Sequence, residues 1–199
     1  MSLLGLNIYF IMQDKFLNKY RIRSLRLPEY DYSSEGAYFI TICVKYKECI
    51  LSEIIGENIV SSKLTQIVND VWLDLPNHYP EILLDEYIIM PNHFHGIVMI
   101  IKKPVEPAER IHAERIHESS LQKRRNMLLP RILGRFKMRT SKLINLELGR
   151  TGKPFWQEGY FERIIRDEKE LENIREYIYY NPLKWNFEKE NPGNLEVTK

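Results

Sequence analysis

At 199 residues, with 44% hydrophobic and 28% charged side chains and a net charge of +2, the chain has the make-up of a single domain with a sizeable core. That composition excludes disordered and collagen-like classes, and the two cysteines, Cys43 and Cys49, support neither a disulfide framework nor a thiolate zinc site. The charge is unevenly placed: nine Lys and Arg between Ser119 and Arg150 face Glu147 alone, and Lys15, Lys19, Arg21, Arg23 and Arg26 form a second basic run, so a polyanion is the expected partner unless both are plain solvated faces.

The apolar run Leu3–Met12 has no preceding positive charge and no clear cleavage site, and it is too short to span a bilayer. Residues 1–19 read as a leader, with Met12 as an alternative start, on a cytoplasmic protein without membrane segments. Gly36–Val44, dense in β-branched and aromatic residues, predicts a first strand. Ser61 or Ser62 can cap a helix in which Leu64, Ile67, Val68, Val71 and Trp72 share a face, ending before Pro76. Ile82–Met90 and His93–Ile101 read as a hairpin about the turn Pro91-Asn92.

Residues 102–126 break the pattern. The repeat Ala-Glu-Arg-Ile-His, at 108–112 and again at 113–117, marks a loop insertion, and its His112 and His117 read as loop residues rather than ligands. From about Pro130, Leu129, Ile132, Leu133, Phe136, Leu143 and Ile144 predict one helix face, while Arg131, Arg135, Arg139 and Lys142 form a basic stripe on another. A strand over Tyr160–Ile165 and a helix over Glu168–Tyr180, stopped by Asn181-Pro182, complete the order β-α-β-β-α-β-α. That order predicts an α+β, ferredoxin-like split β-α-β fold: an antiparallel central sheet with helices packed on it. The domain is expected over residues 20–186, followed by a tail over 187–199.

Side chains alternate along a strand, so His93 and His95 face one way and Phe94 the other, an arrangement suited to two metal ligands. Tyr177 and Asn181, four residues apart near the end of the last helix, offer a nucleophile and an amide oxygen. Two imidazoles and an amide leave positions open for phosphate oxygens and suit Mg²⁺ or Mn²⁺ better than a closed zinc site. A tyrosine that attacks a phosphodiester keeps the bond energy in a phosphotyrosine, so a free hydroxyl can later rejoin the strand. Tyr180 shares the face with Tyr177, and spacing alone leaves the choice between them open.

Met90-Pro91-Asn92-His93-Phe94-His95-Gly96, then Trp156-Gln157, Arg163–Glu168 and Tyr177-Ile178-Tyr179-Tyr180-Asn181-Pro182-Leu183-Lys184, resemble the single-tyrosine HUH transposases, and within them the REP-associated tyrosine transposases. The resemblance spans roughly Tyr20 to Trp185. It implies His93, His95 and Asn181 as metal ligands and Tyr177 as nucleophile, with Tyr180 the alternative. It further implies a metal-dependent endonuclease and strand transferase that cuts single-stranded DNA near hairpins of palindromic repeats through a 5′-phosphotyrosine. In that superfamily the tyrosine helix can complete a partner's site, so a homodimer is possible. Arg21, Arg23, Arg26, Arg131, Arg135, Arg139 and Lys142 are the expected DNA contacts, with Tyr30, Tyr32 or Trp156 as base-stacking platforms if they are not core. The alternative is a domesticated or inactive regulator that binds hairpin DNA on the same fold.

Overall fold

The computed structural model describes residues 30–101 and 126–185. Arg21, Arg23 and Arg26, the leader, the repeat with His112 and His117, and the C-terminal tail lie outside the described residues. The elements are β1 (Gly36–Cys43), a 3₁₀ turn (Lys45–Lys47), β2 (Ser52–Ile55), β3 (Asn58–Ser61), α1 (Lys63–Leu73), α2 (Leu75–His78), β4 (Ile82–Ile89), β5 (His93–Ile100), α3 (Leu128–Glu147), β6 (Phe161–Ile165), α4 (Glu168–Tyr179) and α5 (Asn181–Trp185). Among the described residues no helix is long and apolar enough to cross a membrane.

The principal sheet has the order β4-β5-β1-β6, and every neighbouring pair is antiparallel. α1 connects β1 to β4, and α3 connects β5 to β6, which is the split β-α-β arrangement of an α+β, ferredoxin-like fold. The two-stranded β2-β3 hairpin, which stands outside that sheet, has no counterpart in the sequence reading. Its strands are four residues each, and the turn between them uses Gly56 at φ 65°, a left-handed conformation that favours glycine.

Local chemistry sets the element ends. Ser62, not Ser61, caps α1: its Oγ accepts from the Leu64 and Thr65 amides, and Thr65 Oγ1 accepts from the Ser62 amide in a reciprocal capping box. At the start of α3, where Pro130 needs no hydrogen-bond acceptor, the Leu128 amide donates to Ser33 Oγ (2.8 Å) and the Leu129 amide to the Tyr32 carbonyl (3.2 Å). Leu129, Ile132, Leu133, Phe136 and Ile144 are buried as expected, but Leu143 remains 36% exposed. Thr140 and Asn145 take the buried positions there, with Thr140 Oγ1 bonded to the Phe136 carbonyl and to Trp156 Nε1. Asp167 caps α4, and Asn181-Pro182 ends that helix but begins α5.

The sheet separates two cores. On one face Tyr38, Ile40 and Ile42 of β1 and Phe94 and Val98 of β5 pack with α1 and α3. Within this cluster the Trp72 ring lies 4.7 Å from Phe94 and 5.5 Å from Phe136. Each such buried aromatic contributes about 1.5–3 kcal/mol of burial free energy, enough to anchor β5 from below. On the other face Phe39, Ile97 and Ile165 receive Leu171, Ile174 and Ile178 of α4. His93 and His95 lie on this second face by the alternation of β5.

Tyr32 and Trp156 are each only 4% exposed and belong to the first core, and Tyr30 packs against it with its hydroxyl 3.2 Å from that of Tyr38. Tyr32 and Trp156 are thus core residues, while Tyr30 lies partly exposed at the edge of that core.

Candidate functional site

Register places the site before any side chain is considered. In the β1–β5 ladder Thr41 lies opposite His95, and Cys43 lies opposite His93, so all four share one face. The two imidazoles are 5% and 3% exposed, and their ring centroids are 4.5 Å apart. His95 stacks on Phe39 at 5.3 Å, while Trp185 of α5 approaches His93 at 6.2 Å.

Each ring is held through Nδ1. His93 Nδ1 lies 2.7 Å from Asn92 Oδ1, and His95 Nδ1 lies 2.8 Å from Thr41 Oγ1. Burial is the first cause that lowers both pKa values, taking His93 down to about 3 and His95 well below the ordinary value. The positive charge of Lys47 adds to the effect at His93, as does the neighbouring imidazole at His95. Both rings are therefore neutral near pH 7, the state a metal ligand requires.

α4 brings Tyr177 over this pair. Its Oη lies 3.4 Å from His95 Nε2, its ring meets Phe39 edge-on at 6.0 Å, and Lys184 Nζ stands 5.2 Å from the ring centroid. Tyr180, three residues on, is 46% exposed and its ring meets Tyr179 at 5.0 Å.

Asn181 is wholly buried at the junction of α4 and α5. Its side chain faces the His93 ring in a hydrogen-bonding interaction that raises the imidazole's pKa against the burial shift, although that contact is too loose to count as a full hydrogen bond. Among the described residues no group of three His, Cys, Asp or Glu gathers to hold a metal. Two neutral imidazoles and the buried Asn181 amide beside His93 form the candidate set, and their N and O donors fit a divalent cation.

The basic stripe lies elsewhere. α3 packs on the sheet face opposite the histidines, so Arg131, Arg135, Arg139 and Lys142 are separated from them by the sheet. Arg135 Nη2 lies 2.9 Å from His78 Nε2, Arg139 Nη1 lies 3.4 Å from Asp74 Oδ2, and the Arg131 guanidinium stands 6.0 Å from the Tyr79 ring centroid. Asp74 offsets part of the stripe's charge. Lys137 is also engaged, donating to the carbonyls of Gln157 (2.7 Å) and Gly159 (2.6 Å).

Thr41, Asn92, Phe39 and Lys47 contribute to the site without having been singled out from sequence. Asn92 reads as a turn residue and Thr41 as an ordinary strand residue until register sets each beside an imidazole. Tyr46 and Lys47 both adopt left-handed backbone, at φ 59° and 56°, which is uncommon for non-glycine residues and often accompanies a functional loop.

The fold and this face together define an antiparallel α+β domain in which a helix-borne tyrosine meets a buried histidine pair. The chain belongs to the same family as an uncharacterized protein of Haemophilus influenzae, with which it is 39% identical over 165 residues, 82% of this chain and 89% of that protein. A second protein of that organism, described as "Putative REP-associated tyrosine transposase", is 46% identical over 44 residues, 22% of this chain and 21% of its own length. No protein-family model matches the chain. Similar solved structures include a REP-associated tyrosine transposase bound to a REP hairpin (17% identity, TM-score 0.46, covering 87% of this chain and 77% of that one). A second, described as a "putative transposase" of Deinococcus radiodurans, has 13% identity and a TM-score of 0.43, covering 81% of this chain and 95% of that one.

Proposed function

We propose that the protein is a metal-dependent transposase that nicks and rejoins single-stranded DNA beside hairpins, with Tyr177 as its nucleophile. The observation that carries this reading is the meeting of Tyr177 Oη with His95 in a buried site where the Asn181 amide faces the other imidazole, His93. The short match to a relative described as a REP-associated tyrosine transposase supports it.

His93, His95 and Asn181 would hold Mg²⁺ or Mn²⁺. When bound, such a cation supplies positive charge at the phosphate and favours attack on phosphorus. The chain's own part is positional. Tyr177 Oη attacks phosphorus, the bond to the 3′-oxygen breaks, and the phenolic proton is balanced by the one gained on the released 3′-hydroxyl. Phosphorus is then bonded to Tyr177 Oη and keeps its 5′-oxygen link to the downstream strand, and the reverse attack by a 3′-hydroxyl releases the tyrosine and reseals a strand. Phe39 and Lys184 bracket the Tyr177 ring, restricting it to the histidine side before reaction.

The test is incubation with labelled, hairpin-containing single-stranded DNA and Mg²⁺ or Mn²⁺, followed by denaturing electrophoresis. A covalent protein–DNA adduct is expected, and its absence on all hairpins tried would end the enzyme reading. Hairpin binding without an adduct would identify a DNA-binding regulator of the same fold, a reading favoured by the arginine surface of α3 standing apart from the histidines.

A further inference from the structure

Both histidines turn Nδ1 towards a buried polar side chain, Asn92 at His93 and Thr41 at His95, while the Asn181 side chain also acts on the first ring and the Ile40 backbone on the second. Asn92 is 0% exposed, and its carbonyl accepts from the Val44 amide at 2.8 Å, so the side chain beside His93 comes from a pinned turn. The Pro91 carbonyl in the same turn accepts from the amides of both Ile50 and Leu51, each at 3.0 Å. Thr41 is 6% exposed and is fixed opposite His95 by the β1–β5 ladder. Asn92 Oδ1 can only accept, so the proton of a neutral His93 belongs on Nδ1. At His95 the Thr41 hydroxyl can donate or accept. The Tyr177 hydroxyl faces the other nitrogen, Nε2, and can likewise donate or accept, whereas the Ile40 backbone, which also hydrogen-bonds the His95 ring and raises its pKa, can only accept through its carbonyl.

We infer that Asn92 and Thr41 are positioning residues that hold His93 and His95 in the Nδ1–H tautomer, so that both Nε2 lone pairs point at one place beside Asn181. Without them His93 keeps only its contact with Asn181 and His95 those with the Ile40 backbone and Tyr177, so each ring is freer to take the other tautomer, which would put a proton where a cation must bind. This inference rests on the proposed metal-dependent reading of the site.

The first measurement needs neither variant nor metal. Long-range ¹H–¹⁵N correlation on metal-free, histidine-labelled protein at neutral pH should show Nδ1–H for both rings, and Nε2–H at either would overturn the assignment. The second is Mn²⁺ titration calorimetry on the full chain. Asn92→Leu and Thr41→Val should each weaken binding by about 10–100-fold, whereas Asn92→Asp and Thr41→Ser, which keep an acceptor oxygen, should retain it. Unchanged affinity in the Leu and Val variants would refute the positioning role. If the wild type shows both Nδ1–H tautomers but binds no Mn²⁺, the tautomer assignment stands and the metal reading of the site fails.

Discussion

Tyr177 Oη and His95 Nε2 approach to 3.4 Å although 82 residues separate them in sequence. Helix α4 makes the meeting possible by burying Leu171, Ile174 and Ile178 on the histidine side of the sheet, which leaves Tyr177 half-buried over His95. Tyr177→Phe keeps the ring and its edge contact with Phe39 and removes only the hydroxyl. It is expected to lose the covalent DNA adduct entirely while shifting stability by no more than about 1 kcal/mol. Tyr180→Phe should still form the adduct. Denaturing gels and thermal melts of the two variants check both statements, and an adduct surviving Tyr177→Phe would transfer the role to another tyrosine.

Burial of two neutral imidazoles makes the metal-free protein sensitive to mild acid. An unfolded His93 takes up its proton near pH 6.5, whereas the folded one does so only near pH 3. Stability is therefore complete above pH 6.5 and declines as pH falls towards 3. At pH 5 the loss from one such group is roughly 2 kcal/mol. His93→Gln should flatten this slope, as read from urea midpoints at pH 7.5, 6 and 5; an equally steep slope in the variant would show that the proton is taken up elsewhere.

Gly96 adjoins His95 and points to the opposite core. A Cβ there would come within 2.8 Å of Trp72 Cζ2 and 2.9 Å of Phe94 Cε1, both ring atoms in a packed cluster. Gly96→Ala should destabilise by about 1–3 kcal/mol through overpacking. Denaturant unfolding followed by tryptophan fluorescence measures both the loss and the displaced indole. A neutral result would mean that the cluster has more slack than these distances allow.

Arg175 fastens α4 to the irregularity in β4. Its Nε and Nη2 donate to the two carboxylate oxygens of Asp85 at 2.9 and 2.6 Å, holding that carboxyl below its usual pKa. The pair is partly exposed, so Arg175→Ala should cost only about 1 kcal/mol of stability. Adduct formation should slow more than that loss accounts for, because the same helix carries Tyr177. Single-turnover rates compared with melting temperatures separate the two effects, and a rate unchanged from wild type would show that α4 keeps its place without this pair.

Strand alternation, the Pro91-Asn92 turn and the apolar stripes of α1, α3 and α4 were legible because each follows from local spacing. The His-x-His face and the four-residue step from Tyr177 to Asn181 were legible for the same reason. Thr41 was not, since its role depends on a register between strands 54 residues apart. The β2–β3 hairpin escaped because its strands are too short to show a period. The arginine stripe was read correctly as a helix face, but which side of the sheet that helix covers is a tertiary fact, and so is the partial neutralisation by Asp74.

Because the sheet lies between the arginines of α3 and Tyr177, contour length becomes a constraint on any ligand. Packed layers are about 10 Å apart, so a strand that touches both surfaces must travel some 20 Å around a sheet edge. At about 3.4 Å per stacked nucleotide that detour takes roughly six nucleotides. Under the proposed function, an oligonucleotide shorter than this would reach one surface or the other, and only a longer one would bridge them.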